Sequence, residues 1–253
     1  MTTYEVLDAS KHKSVKIHQN AGVEFAKTQH LISVRVTEVD KAISSFPVFF
    51  FRNHQTGKLS IAVMTSFRPG DNLFVKDNEW DACYMPSTIA THPFHVISDD
   101  NSDSGYAVTI NTQSPFVNTE EGNVLFDENG KASGYLNQVK STIDAELKNE
   151  MVTREFLQTI DDLNLTMPID LEMEFADGSS ETISGLHTVA EEKLRLLEDE
   201  LLCKLNKQGY LIPLHGALMS LFQVNGLIKR NNSKFNHAAI KNIHLRLQQN
   251  NPV

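Results

Sequence analysis

Cysteine is almost missing from this 253-residue chain: only Cys83 and Cys203 occur, 120 positions apart. That spacing excludes a disulfide framework and any CxxC zinc or redox pair, and a reducing, cytoplasmic compartment is the expectation. The opening MTTYEVLDASKHKSVKIHQN has no apolar core of the kind a signal peptide needs. Apolar stretches such as 46–51 and 211–214 fall well short of the roughly 20 residues of a membrane helix, so no membrane span is expected. Positive charge is also scarce. Against 32 Asp and Glu stand 23 Lys and Arg, a net charge of −9 that repels phosphate backbones and anionic lipid surfaces, so nucleic acid is not an expected partner.

The missing charges are unevenly placed. Residues 77–130 hold ten acids and no Lys or Arg, whereas from 226 onward Lys229, Arg230, Lys234, Lys241 and Arg246 stand without an acid. Solvated acidic loops and a solvated basic tail are the plain reading, and a tail docked on the acidic half is the alternative. Also lacking are the GxSxG elbow, HExxH pair, GxxxxGK[ST] loop and GxGxxG fingerprint, so hydrolase, zincin, P-loop and dinucleotide sites are without their usual signals.

What is present is an ordinary folding composition, 40 % hydrophobic and 22 % charged, which sets the chain apart from disordered and collagen-like classes. Residues 30–36 alternate as a strand, 38–45 read as a short helix, and 46–51 form a fully buried strand returned by the Gly57 turn through Leu59, Ile61 and Val63. Further strands are predicted at 73–75, 80–85, 94–97, 106–110 and 124–126, with Lys76-Asp77-Asn78-Glu79 and Asn129-Gly130 as turns and Pro86 opening a helical turn.

The second half turns helical. Helices are predicted over 136–150 and 153–163, then a hairpin of 171–175 with 181–183 around Asp177-Gly178. Thr188 and Glu191 have capping-box spacing ahead of the stripe Leu194, Leu197, Leu201 and Leu205, and Pro213 starts one more helix through Leu227. The Asn- and Gln-rich last twenty residues read as a helix with a frayed end. Together these predict a single α+β unit over 1–253, with short, mainly antiparallel strands in a part at about 20–135 and helices concentrated at about 136–250.

The densest group of special side chains lies between 72 and 94. Asn72, Phe74, Trp80, Asp81, Tyr84, Pro86, His92 and Phe94 could line an apolar cleft with a few polar handles, suited to a peptide, a glycan or a partner protein; core packing of the same rings is the alternative. His92 and His95, with Asp81 or Asp99, are a weaker candidate for a metal-dependent enzyme, although Pro93 disfavours a helix that would align the two rings. The run Asp99-Asp100-Asn101-Ser102-Asp103-Ser104-Gly105 begins like a calcium loop but has Ser104 at its sixth position and Ile110 at its twelfth, so a turn is expected. No cofactor is predicted.

In this stretch the chain resembles the SapC family, bacterial proteins of about this length named after a gene of a surface-layer locus. Phe46-Pro47-Val48-Phe49-Phe50, Asn72-Leu73-Phe74-Val75, Trp80-Asp81, Tyr84-Met85-Pro86 and Pro93-Phe94 carry the resemblance, followed by Leu125-Phe126-Asp127, Gly185-Leu186-His187-Thr188-Val189, Glu192-Lys193-Leu194 and Gly209-Tyr210-Leu211. It covers most of residues 42–228. Where the family has Arg-Arg-Tyr before Pro-Phe, this chain has Ala90-Thr91-His92, and where the family has Ala-His it has Gly216-Ala217 with His215 displaced. Neither an anion-binding nor a catalytic role is carried over to those positions. The resemblance implies an accessory or binding protein of cell-surface, uptake or secretion pathways, or a partner subunit of a halogenase- or oxygenase-like system. A homo-oligomer through the C-terminal helices is a further expectation.

Overall fold

The computed structural model describes residues 4–99, 106–235 and 239–248. The chain opens with β1 (Tyr4–Val6), α1 (Ala9–His12), β2 (Lys16–Ile17) and α2 (Ala21–Ala26). Next come β3 (Leu31–Ser33), a 3-10 turn at Val36–Glu38 that runs into α3 (Val39–Ala42), and the hairpin of β4 (Val48–Arg52) and β5 (Leu59–Met64). Short elements follow: β6 (Val75–Lys76), β7 (Glu79–Trp80), α4 (Ser87–Ala90), β8 (Phe94–Ser98), β9 (Tyr106–Asn111), β10 (Val117–Asn118) and β11 (Asn123–Val124). The C-terminal half holds α5 (Gly134–Asp162), β12 (Thr166–Phe175), β13 (Ser180–Val189), α6 (Glu191–Arg195), α7 (Asp199–Lys207), α8 (Leu211–Ser220), α9 (Gln223–Lys234) and β14 (Ile240–Leu247).

The fold is α+β. Its main sheet is antiparallel throughout, in the order β14-β12-β13-β4-β5-β3, and a smaller sheet has the order β1-β9-β8. Phe49, Phe50 and Val63 are fully buried on the central strands, where the apolar run left no solvent face. Phe156 and Ile160 of α5 pack with them, as do Leu205, Leu214 and Leu227 of the C-terminal helices. A second core gathers Ile17, Phe94, Ile110 and Leu125 around Leu136, Val139 and Ile143 of α5.

One helix therefore serves both cores. α5 runs unbroken for 29 residues, about 43 Å at 1.5 Å per residue, where two helices were expected. Met151 and Val152 contain neither Gly nor Pro, and nothing in the chain stops the helix there. Ser133 caps its start by accepting a hydrogen bond from the Leu136 amide.

Several expectations are corrected. The C-terminal tail is β14, an edge strand, not a helix. Laid antiparallel on β12, it brings Lys241 to 3.3 Å from Glu174 and Arg246 to 2.6 Å from Glu172, both diagonal to the register, while Leu171, Met173 and Phe175 point the other way into the core. The alternation of apolar and acidic residues on β12 thus finds a strand of opposite charge. Thr188 is buried inside β13 and caps nothing; the next helix begins only at Glu191, after Ala190. The leucine stripe from Leu194 is split into α6 and α7 because Glu198 is extended, with φ −61° and ψ 146°. The helix expected from Pro213 through Leu227 tightens at Leu221 and Phe222, whose amides bond three residues back, and divides into α8 and α9. Of the strand expected over 80–85 only Trp80 pairs, opposite Val75.

The continuity of α5 is open to test at its exposed middle. Val152→Pro should lower the unfolding free energy by about 3 kcal/mol or more, measured by urea denaturation, because it removes an interior hydrogen bond and collides with the preceding turn. A break between two helices at that point would tolerate the change.

Candidate functional site

The site residues stand on a tight hairpin and the irregular chain that follows it. Asp77 and Asn78, at φ 51° and 64°, turn β6 into β7 and bring Trp80 beside Phe74. The Phe74 ring is 2 % exposed and meets Phe46 edge-on at 4.5 Å, while Trp80 lies 6.0 Å from Phe46 and 6.5 Å from Phe74. Trp80 Nε1 donates to the Tyr84 carbonyl at 2.8 Å and closes the intervening loop.

Tyr84 turns away from that group toward Glu38. The Glu38 carboxylate is buried and accepts from the Tyr84 hydroxyl, from the Ser87 amide at 2.9 Å and from the Arg35 amide at 2.7 Å. Burial first, and then the Glu38 carboxylate, push the Tyr84 hydroxyl pKa far above its ordinary value, so it acts as a donor only. Arg35 in turn reaches Glu146 of α5 at 2.9 Å.

The outer wall is supplied by α9. Arg230 places its guanidinium 4.2 Å over the Phe74 ring and donates to the Asp81 carboxylate at 2.7 Å and the Asp81 carbonyl at 3.0 Å. Asp81 and Arg230 form the shared wall of two open hollows. One, about 490 Å³, is lined by Phe74, Trp80, Asp81, Cys83, Gln223 and Arg230 among others. The other, about 600 Å³, has Leu73 and Val75 at its base and Lys76, Asp77, Lys229 and Lys234 around it. Lys234 is held by Asp71 at 2.5 Å, whereas Lys76 and Lys229 have no acidic partner among the described residues.

The eight expected residues do not share one cleft. Phe74, Trp80 and Asp81 line the first hollow. Asn72 is 1 % exposed and spent on the fold: it donates to the Ala26 carbonyl at 2.9 Å and accepts from the Phe74 amide at 2.8 Å. Pro86 is buried at the entry to α4. His92 and Phe94 belong with the second core, because the irregular chain after Trp80 and the short α4 carry the backbone across from the first. Phe94 is 4 % exposed there, and His92 stacks on Phe25 at 4.0 Å and meets Phe116 edge-on at 5.4 Å.

Metal ligation fares no better geometrically. His92 faces Phe25 and Phe116, His95 meets Tyr4 edge-on at 4.7 Å, Asp81 is committed to Arg230, and no three His, Cys, Asp or Glu side chains come together among the described residues. The Asp/Ser run at 100–105 lies outside the described residues. Sequence reasoning missed Arg230 and Glu38. Arg230 read as part of a solvated tail; the only signal was its place in a cationic segment opposed to an acidic one.

These features define an α+β protein with a shallow aromatic and cationic surface at the junction of a hairpin and a C-terminal helix. The chain belongs to the SapC family: the model of that family, described as SapC, matches residues 7–227. No curated protein and no solved structure matches it. Phe74, Trp80 and Asp81 fall inside the matched segment, whereas Lys229, Arg230 and β14 follow it.

His92 generates a prediction of pH dependence. Burial, followed by the neighbouring His95, lowers its pKa from 6.5 to about 4, and burial lowers His30, His95 and His187 in the same direction. The unfolded chain therefore binds more protons than the folded one between those values. The contribution of a neutral His92 is complete above about 6.5 and is lost as pH falls toward 4. With its partial exposure allowed for, it amounts to about 1–2 kcal/mol. Urea midpoints should fall between pH 7 and pH 5, and His92→Phe, which keeps the stack on Phe25, should flatten that fall; an unchanged slope would remove the assignment.

Proposed function

We propose that this SapC-family chain is a cytoplasmic accessory or binding protein of cell-surface, uptake or secretion pathways, and that the surface divided by Asp81 and Arg230 recognises a peptide segment of a partner. The observation that carries this reading is the cation held on an aromatic face between two open hollows. Trp80, backed by the buried Phe74, offers ring surface that loses little conformational freedom on contact, and Arg230 is fixed by four interactions before any ligand arrives. Lys76 and Lys229, neither of them in an ion pair although Asp77 lines the same hollow, favour a ligand that carries carboxylates beside its apolar side chains.

The only tryptophan in the chain is in the wall of the hollow and serves as a reporter. Peptides selected on the immobilised full chain should be rich in aromatic and acidic residues and should shift Trp80 emission. Arg230→Ala should weaken them by about tenfold or more, as central anchor residues do, with Arg230→Lys intermediate. Binders that leave Trp80 emission unmoved and bind the Arg230→Ala chain equally well would refute this surface as the recognition site.

A further inference from the structure

The main sheet ends differently on its two sides. β3 is a blunt edge of three residues: the Ser33 carbonyl accepts from the Thr88 hydroxyl of α4 at 3.2 Å, and the chain then leaves the sheet in the 3-10 turn. β14, on the other side, is eight residues long, holds no proline and pairs with β12 alone among the described residues. An antiparallel pair turns alternate residues toward the partner strand. The Gln248 amide bonds the Pro168 carbonyl at 3.3 Å, which puts Arg246, His244 and Asn242 in the set bonded to β12. The N–H and C=O groups of Ile243, Leu245 and Leu247 therefore point outward, and they have no protein partner among the described residues.

The side chains on this edge are as incomplete as its backbone. Ile243, Leu245 and Leu247 stand opposite Met173, Leu171 and Ile169, which are at most 2 % exposed, yet Leu245 is 40 % exposed and Leu247 56 %. An edge guarded against association carries a proline or an inward-facing charge at such positions. Only its beginning is closed. There the Asn232 side chain takes both backbone groups of Ile240, each at 2.8 Å, and Lys241 falls in the bulge where the register on β12 shifts.

These bounds select the occupant. What satisfies an open strand edge is another extended backbone. A second copy, turned about a twofold axis at Leu245, sets Leu245 against its own counterpart and Ile243 against Leu247 in both directions. Every outward group of the three residues then meets an outward group of the copy, and apolar side chains meet apolar side chains on one face. Moving the axis toward Ile243 runs the copy onto the bulge and Asn232. On the opposite face Arg246 comes beside His244 of the second copy, with no lysine or arginine directly across from it, and it keeps Glu172 at 2.6 Å in its own chain. A foreign strand alternating apolar and acidic residues, as β12 does, would look for free cations, but Lys241 and Arg246 are already engaged by Glu174 and Glu172. We propose that the chain forms a twofold dimer by antiparallel pairing of β14 with β14 of a second copy, centred on Leu245. Two six-stranded sheets become one, and the apolar face continues across the seam. Self-association then runs through the edge strand and not through the C-terminal helices.

The test is the mass of the full chain by sedimentation velocity as concentration is raised from micromolar to hundreds of micromolar. A monomer–dimer equilibrium should appear. Leu245→Pro should weaken it by about tenfold or more, because it removes the central pair of bonds and an apolar contact. The bonds to β12 belong to His244 and Arg246, so the circular dichroism spectrum of this variant should be unchanged. A second readout fixes the register. With Cys83→Ser and Cys203→Ser removing the native thiols, Leu245→Cys should cross-link to its counterpart under oxidised glutathione, since directly paired residues lie about 5.5 Å apart between Cα atoms, within disulfide reach. His244→Cys, which faces Arg246 of the copy, should cross-link far less. A monomer at every concentration, a dimer that Leu245→Pro leaves intact, or equal cross-linking at both positions overturns the proposal. So does capture of an alternating apolar and acidic peptide by a monomer, abolished by Leu245→Pro, which would assign the edge to a foreign strand. No residue of β14 lines the hollows beside Trp80, so failure here is distinguishable from failure of the peptide-binding reading.

Discussion

A carboxylate buried at position 38 has to be met by donors, and the way it is met arranges much of what surrounds it. Left alone, a buried carboxylate is costly enough to unfold a domain of ordinary stability. Glu38 receives two backbone amides and the Tyr84 hydroxyl, and those donors come from three places: the start of its own 3-10 turn, the loop after β7 and the first residue of α4. Satisfying one charge therefore fastens the segment 84–87 to the N-terminal edge of the main sheet. With Tyr84 drawn toward Glu38, its carbonyl stands where Trp80 Nε1 can use it, and the indole is left beside Phe74 at the rim of the first hollow.

The same segment is where the chain passes from one core to the other. Core residues from Ala26 to Phe74 pack with Phe156 and Ile160 in the C-terminal part of α5 and with the later helices; those from Phe94 to Phe126 pack with Leu136, Val139 and Ile143 in its N-terminal part. Because α5 is one rod, the two cores keep a fixed spacing, and the irregular stretch between Trp80 and Pro93 needs no regular element of its own. Arg35 joins this arrangement to α5 through Glu146. The hollows beside Asp81 and Arg230 are thereby set on a rigid base, although most of the side chains that form them sit on short or irregular elements.

How far the sequence was legible follows the range of the interactions. The buried run at 46–51, the return through Leu59, Ile61 and Val63, and the turns at Asp77-Asn78, Asn129-Gly130 and Asp177-Gly178 are local patterns, and each has its counterpart in the structure. Ile240, Ile243, Leu245 and Leu247 are also spaced suitably for a strand in part, but Asn and Gln around them obscure the period. What makes them a strand is β12, roughly seventy residues earlier, whose Glu172 and Glu174 need cations beside them. Thr188 had capping geometry in the sequence alone and lost it because Met167 pairs opposite it. The grouping of eight residues as one cleft failed for the same reason. Proximity between 72 and 94 is proximity along the chain, and the chain there crosses from one core to the next, while the residue that completes the surface, Arg230, stands 149 positions from its partner Asp81.

Net charge is a poor guide to such a molecule because its sign is divided in space. The acids end at position 200, and beyond it every charged side chain is a cation, which allows the C-terminal fifth of the chain to be both fastened to the body and available to something else. The fastening uses the cations that face acids: Arg230, Lys234, Lys241 and Arg246. Of those left over, Lys229 borders the hollow with Leu73 and Val75 at its base, and Lys204 and Lys207 line another beside Glu198 and Glu200. Each exposed pair is worth little in water, where solvent screens it. A cation without a partner has a different standing, since it has no internal contact to break before it meets an external anion. The unpaired Lys76 and Lys229 and the half-buried Trp80 stand in the two hollows that share the Asp81–Arg230 wall, and it is there that a binding partner would lose least in approaching.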